Sequence, residues 1–417
     1  LIVLGLIVST PLLSQHSKVA IKPNLVASRI EAPFHHDGIV NELLWQKLEV
    51  ATNFTQQDPD EGKPASQKTE VRVGFDDINL YFGVICFDSE PHKIVVNENY
   101  RDSNLSQSDS IQILLDTFND GQNGFIFGTN PSGVEFDAQV SKSGLRGGGG
   151  GPRRAGQGGA QRGGAASFNI NWDGVWKVRS QITKRGWESE IVIPFRTLRY
   201  HAGETTWGFN ITRRLPRRKE NSFWAPISRA FRFREVSTVG LLSGLETKTH
   251  RSLKIVPYVL SGFSQDYFRQ EDQFRIERDL GVDLKYSITT NLTLDTTVNT
   301  DFAQVEIDDN QVDLTRFNLF FPEKRMFFLE NSGFFEFGSP REVEIFFSRR
   351  IGLDEDGNPV PIDVGARLTG KIGPYQIGLL NMQTRSIGSG VAANNYSVLR
   401  LTRELPNRSS IGVIGVN

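Results

Sequence analysis

Hydrophobic and polar residues along this chain alternate with a period near two over most of its length, the pattern of strands whose side chains point to opposite faces in turn. Short apolar runs at residues 71–75, 80–87, 110–116 and 124–130 are separated by Asp76-Asp77 and by Asn119-Asp120-Gly121, residue types that favour tight turns. Strand patterns resume at 168–171, 175–183 and 187–193, stop at Pro194-Phe195, and continue at 207–214 and 222–226. Short strands at such spacing predict a β-sandwich of immunoglobulin-like or jelly-roll-like type.

Near residue 245 the texture changes, and the alternating segments lengthen. Leu280, Val282, Leu284, Tyr286 and Ile288 share one face, against Gly281, Asp283, Lys285 and Ser287 on the other. Leu292, Leu294, Thr296, Val298, Thr300 and Phe302 repeat the pattern against Thr293, Asp295, Thr297, Asn299 and Asp301. Similar segments follow at 343–350, 364–372, 375–382, 396–401 and 409–416. A soluble second sandwich would alternate in the same way, but the segment length favours strands that cross a bilayer, for which about 9–11 residues are needed. No run beyond residue 17 is long and apolar enough for a membrane-spanning helix. The expected fold class is all-β: an N-terminal β-sandwich over residues 18–245, then the first portion of an antiparallel transmembrane β-barrel over 246–417.

Residues 1–13 (LIVLGLIVSTPLL) read as the apolar region of a secretory signal peptide, with its remnant over 1–17. Lacking an initiator Met and a basic start, the chain is expected to begin inside that signal. An open sheet edge is not tolerated in lipid, so the protein is expected to continue beyond Asn417. Residues 146–165 hold ten glycines and four arginines with no acid and no aromatic, and are expected to be a disordered loop within the sandwich.

Composition narrows the chemistry. The 47 basic and 48 acidic residues balance to a net charge of −1, which gives no electrostatic footprint for nucleic acid. Cys86 is the sole cysteine, so neither an internal disulfide nor a cysteine zinc site can form, and its apolar setting predicts burial. No Gly-x-Ser-x-Gly, His-Glu-x-x-His or phosphate-loop element is present. Glu306, Asp308, Asp309 and Asp313 are plentiful acids without a spacing that marks a catalytic pair. Adjacent side chains at His35-His36-Asp37 diverge in an extended segment, and residues 354–358 (DEDGN) lack the terminal glutamate of a calcium loop. No enzymatic activity and no cofactor are expected, with a structural calcium ion left open.

Residues 35–54, 71–88, 100–138 and 171–200 resemble the family 9 carbohydrate-binding-module-like domain at the front of a family of large outer-membrane proteins of Bacteroidetes and related phyla. Residues 292–338 (LTLDTTVNTDFAQVEIDDNQVDLTRFNLFFPEKRMFFLENSGFFEFG), 345–352 and 365–373 are similar to that family's barrel portion. The resemblance implies an exported protein of the Gram-negative outer membrane with a glycan or oligosaccharide ligand, engaged in glycan capture, uptake or surface assembly. Two other roles stay open: a protein-interaction or barrel-assembly module with periplasmic or surface protein partners, and a secreted glycan-active hydrolase. A hydrolase assignment would rest on family association alone.

Sugar recognition needs aromatic faces for C–H surfaces and polar groups for hydroxyls. Trp172 and Trp176 flank the Asp173-Gly174 turn and are the leading stacking candidates, with Trp224 behind them. Arg101, Asp102 and Asp109 are the candidate hydrogen-bonding residues, by the fork of the guanidinium and the paired acceptors of the carboxylates. Leu105 and Ser106 stand where the resemblance leads one to expect a further Trp, which implies at most one stacking face. Trp45 reads as a core plug, and Trp207 as a weaker ligand candidate whose rival role is core packing.

Overall fold

The computed structural model describes residues 2–3, 22–248 apart from 32–33, 142–167 and 171, and 253–417 apart from 266–273, 301–322, 324, 330, 336, 340–342, 355–359, 388–389 and 406–408. The Gly/Arg-rich stretch and the acids at 306–313 lie outside the described residues, as does most of the expected signal remnant. The described residues divide into two compact units, the first within 22–250 and the second made of 2–3 together with 253–417.

The first unit is a β-sandwich. One sheet runs in the order Phe168–Asn169, Phe136–Ser141, Asn123–Thr129, Ser110–Asp116, Trp207–Leu215, Glu220–Phe223 and Thr55–Asp58. Gly240–Ser243 joins it beside Trp207–Leu215 and pairs in parallel with Asn24–Val26. The other sheet runs Lys177–Thr183, Gly186–Pro194, Asn79–Phe87, Thr69–Phe75 and Ser28–Arg29. The turns form where the sequence placed them. Asp76 Oδ1 accepts from the backbone N–H of Ile78 and Asn79 at 2.7 and 2.6 Å, and Asp120 Oδ1 does the same for Gln122 and Asn123 at 2.7 and 3.1 Å.

Asn79–Phe87 (NLYFGVICF) is apolar without alternation because both its faces are covered. Leu80, Phe82, Val84 and Cys86 point into the inter-sheet core with Ile113, Phe127, Phe209 and Trp187. Tyr81 and Ile85 point the other way, under a second cluster with Val40, Trp45 and Leu48. Gly83 sits beneath the Trp45 ring, whose carbons would lie 2.8–3.0 Å from any Cβ, so a side chain there would lift the indole. Burial pushes the Cys86 thiol up to about 12, which makes it an inert core residue.

Charged groups are also buried, each with specific partners. Arg213 points from the first sheet into the core and donates to the carbonyls of Lys68 and Phe87, both at 2.8 Å, and to Thr69 Oγ1 at 3.0 Å, pinning one sheet to the other. Glu190 receives residues 37–38 and the plug: Oε2 accepts from the N–H of Asp37 and Gly38 at 2.9 Å each, and Oε1 from Trp45 Nε1 at 3.2 Å. Residues 35–38 are therefore the strap that carries Trp45 onto the sheet.

The second unit is an antiparallel sheet in the order Ile2–Val3, Ser409–Val416, Asn395–Leu405, Tyr375–Thr384, Ile362–Ile372, Leu292–Val298, Phe274–Ser287 and Leu253–Gln265. Two residues of the expected signal remnant thus pair with Ile414 and Gly415. The alternating segments form strands, and Leu253–Gln265 is one that the sequence pattern did not single out. Residues 343–350 differ from expectation: only Val343–Glu344 is strand, and Ser348–Arg350 is a helical turn, because Ile345 and Phe346 pack onto one face of the sheet.

Burial pushes Glu190 up from 4.5 to about 7, against the opposing pull of its hydrogen bonds. A carboxyl raised in the fold holds its proton more tightly there than in the unfolded chain, so its contribution is full below pH 4.5 and is lost as pH rises to about 7. Thermal melts followed by tryptophan fluorescence should show the sandwich losing stability across this window. Glu190→Gln should flatten that dependence; an unchanged slope in the variant would refute the assignment.

Candidate functional site

The base of the loop after residue 94 is closed by reciprocal bonds of 2.8 Å, Val95 N–H to Asp109 Oδ2 and Asp109 N–H to the Val95 carbonyl. This closure supports a tight turn at its tip, where the Ser103 N–H bonds the Tyr100 carbonyl at 3.3 Å and Asp102 adopts a left-handed φ of 58°. The turn is tied to the neighbouring segment by the Asp102 N–H, 2.9 Å from the carbonyl of Glu135.

Arg101 lies at the centre of a cluster. Nη1 donates to Glu135 Oε2 at 2.7 Å, and Nη2 to Asp137 Oδ1 at 2.8 Å and also to Asp173, while Asp102 Oδ2 is 3.5 Å from Nε. Four carboxylates thus surround one guanidinium that is still 39% exposed. Asp137 is buried and also accepts the Gly174 N–H at 2.5 Å. Burial raises Asp102 and Glu135 above their ordinary values and lifts Asp137 from 3.8 to about 6. Glu135 and Asp173 keep exposed oxygens, and Tyr100, next in sequence to Arg101, is 60% exposed. The surface therefore presents a fixed fork of donors, several carboxylate acceptors and an exposed phenol ring.

The expected residues divide. Asp173 and Gly174 of the Trp172–Trp176 turn do meet Arg101, but the indoles do not face solvent. The segment is extended, so Trp172, Gly174 and Trp176 point inward, and Asp173 and Val175 outward. Trp172 packs against Phe125 and Phe127, with centroids 4.9 and 5.8 Å away, and Trp176 against Phe127 at 5.3 Å. Trp224 is buried against Phe209 at 5.3 Å. The expectation that these rings offer a stacking face is corrected: their faces are covered by phenylalanines in the core. Trp45 and Trp207 are core residues as well. Asp109 is buried away from Arg101, closing its loop, with Arg213, Arg217 and Asp88 as its charged neighbours. Tyr100 went unremarked in the sequence, although a Tyr-Arg-Asp triplet in a polar loop between strands was its visible signal.

A different surface stands out in the second unit. Thr293, Asp295, Thr297, Arg367, Thr369 and Lys371 are buried, while alternate residues on the same strands, Val298 and Val364, are exposed. Val259 and Leu280 are 78% and 68% exposed. On these strands the ordinary polarity of a soluble sheet is inverted. On this outward face apolar residues run from Leu253 to Val259 and end at the Ser261–Arg278 pair, a height of about 20 Å at 3.3 Å per residue. At the same end of neighbouring strands lie Asn381, Ser397 and Asn395, bonded to one another; at the opposite end Arg403 lies over the Tyr375 ring at 5.6 Å. Between them an open groove of about 520 Å³ is lined by Leu294, Leu368, Leu379 and Leu399.

Residues 249–382 match a family described as a domain of unknown function, DUF5916. No curated protein matches the sequence. Among solved structures, a family 9 carbohydrate-binding module from Caldicellulosiruptor kristjanssonii in complex with cellotriose is similar at 16% identity, covering 54% of this chain and 95% of that one, with a TM-score of 0.36. The same organism's module with glucose gives 16%, 53%, 95% and 0.35. A candidate carbohydrate-binding protein from Bacteroides uniformis gives 13%, 53%, 99% and 0.37.

Because their rings fill the core, Trp172→Ala and Trp176→Ala should each lower stability by about 3–5 kcal/mol, the range for removing a large buried aromatic. Urea titration measures this. A loss below 1 kcal/mol, as for a surface ring, would show that the indoles are not packed as described.

Proposed function

We propose that this chain is part of an outer-membrane protein of a Gram-negative bacterium, held in the bilayer by strands of a transmembrane barrel, and that its sandwich binds the hydroxyl-rich end of a glycan at the Arg101 cluster. The observation that carries the reading is the inverted sheet of the second unit. Buried Asp295 and Arg367 behind an exposed apolar band would aggregate in water but suit strands with lipid on one side. Asn and Ser at one border of the band, with Tyr and Arg at the other, fit the two interfaces of a membrane. The apolar start of the chain agrees with export.

Full-length protein expressed with its leader should sediment with outer membranes and require detergent for release. Recovery as a soluble periplasmic or secreted protein would overturn the reading.

Glycan binding rests on the chemistry of the cluster. Vicinal hydroxyls donate to carboxylates while accepting from a guanidinium, and the fixed Arg101 fork with Glu135 and Asp173, brought together from three segments of the chain, offers both. One exposed ring at Tyr100 desolvates only one sugar face, so affinity should be weak. Calorimetric titration with mono- and oligosaccharides should give heat that disappears in Tyr100→Ala and Arg101→Ala, with Trp172→Phe retaining it. Absence of heat across a broad panel would leave the sandwich as a protein-interaction or assembly module.

A further inference from the structure

In a membrane-embedded sheet of alternating pattern, the face turned from lipid is expected to be polar, because it meets water. Here that face is divided. Towards Leu292–Val298 it carries Thr293, Asp295, Arg367, Thr369 and Lys371, but on Tyr375–Thr384, Asn395–Leu405 and Ser409–Val416 it carries Leu380, Met382, Val398 and Ile414. These apolar residues are buried, and what buries them is the aromatic stretch that runs from Phe327 to Phe346: Phe327, Phe328, Phe334, Phe335 and Phe346 form one cluster with them.

The fit is specific on both sides. Arg367 bridges to Asp295 on the adjacent strand at 2.7 Å, donates to the carbonyl of Phe327, and lies over the Phe327 ring at 4.9 Å. Gly378 leaves room where a Cβ would stand 2.9 Å from the Phe334 carbonyl and 3.1 Å from the Phe335 ring. The segment is also closed on itself around a buried ion pair. Arg325 binds Glu323 at 2.8 Å and the carbonyls of Ile351 and Ser348 at 2.6 and 2.9 Å, and it covers the Phe328 ring at 4.2 Å. A buried pair with this many partners holds its geometry, since loss of either ion leaves the other uncompensated.

We propose that this aromatic segment is a built-in stopper that docks on the inward face of the sheet and closes the passage an open barrel would leave. The inference rests on the lipid-facing reading of the same sheet and adds that the protein in its resting state is not a pore. An apolar patch on a water-lining wall has no use in an open channel and a direct one as a docking surface.

The test uses full-length protein reconstituted into phosphatidylethanolamine–phosphatidylglycerol vesicles loaded with a fluorescent dye. Flotation of the vesicles, scored first, reports membrane insertion by itself. Wild-type vesicles should keep their dye as empty vesicles do, whereas Arg367→Ala, which removes the hold on Phe327, and Gly378→Leu, which wedges Phe334 and Phe335 off the sheet, should each lose it. Only variants that float and show the wild-type strand signal by circular dichroism are compared; if one variant does not fold, the other still decides. Inserted wild type that leaks as fast as the variants, or folded variants that stay dye-tight, would overturn the stopper while the membrane reading stands. Failure to float removes both.

Discussion

An extended chain shows successive side chains to opposite sides, so each sheet in this protein must find cover for two surfaces. The two units meet that demand in opposite ways. In the sandwich the inner faces cover each other, and short irregular segments cover the outside. Trp45 and Val40 lie over Tyr81 and Ile85 on one outer face, and Val236 and Val239 lie with Leu114 and Ile126 on the other. In the second unit the face with Asp295, Arg367 and Lys371 is covered, together with Leu380, Met382, Val398 and Ile414, while Val259, Leu280 and Val298 on the other face are exposed.

Buried ions mark the places where these arrangements are made specific. Arg213 spends its donors on carbonyls of the facing sheet, Glu190 collects the N–H groups of an incoming strap, and Arg367 joins a strand to the segment packed on it. None of these groups is isolated, and each links elements far apart in sequence. Apolar contacts supply most of the burial but tolerate sliding; a charge that needs three partners does not. Register and docking are held where the charges are.

The Arg101 cluster differs from those inner sites in being half open. Its acceptors outnumber its donors, and burial raises Asp137 from 3.8 to about 6. A polar site left open at a loop tip, on a sandwich whose tryptophans are all committed to packing where they are described, directs attention to Tyr100 and Asp173 for ligand contact.

Much of this architecture could be read from the residues alone. Alternation located most strands of the second unit, though not Leu253–Gln265, and the apolar run at 80–87 marked a strand with a buried Cys86, while its cover on both faces appeared only in the fold. Asp76 and Asp120 announced their turns because the side chain that bends the chain is local to it. The role of the tryptophans was not legible, because a Trp beside a turn has the same sequence whether its ring points out or in. Spacing of four between Trp172 and Trp176 put them on one face, and only the packing of Phe125 and Phe127 decided that it was the inner one. The segment at 343–350 looked like a strand because its apolar residues alternate, yet they serve a cluster instead of a ladder. Short-range chemistry sets element type; which face is covered, and by what, depends on contacts across hundreds of residues, and those exist only in the folded chain.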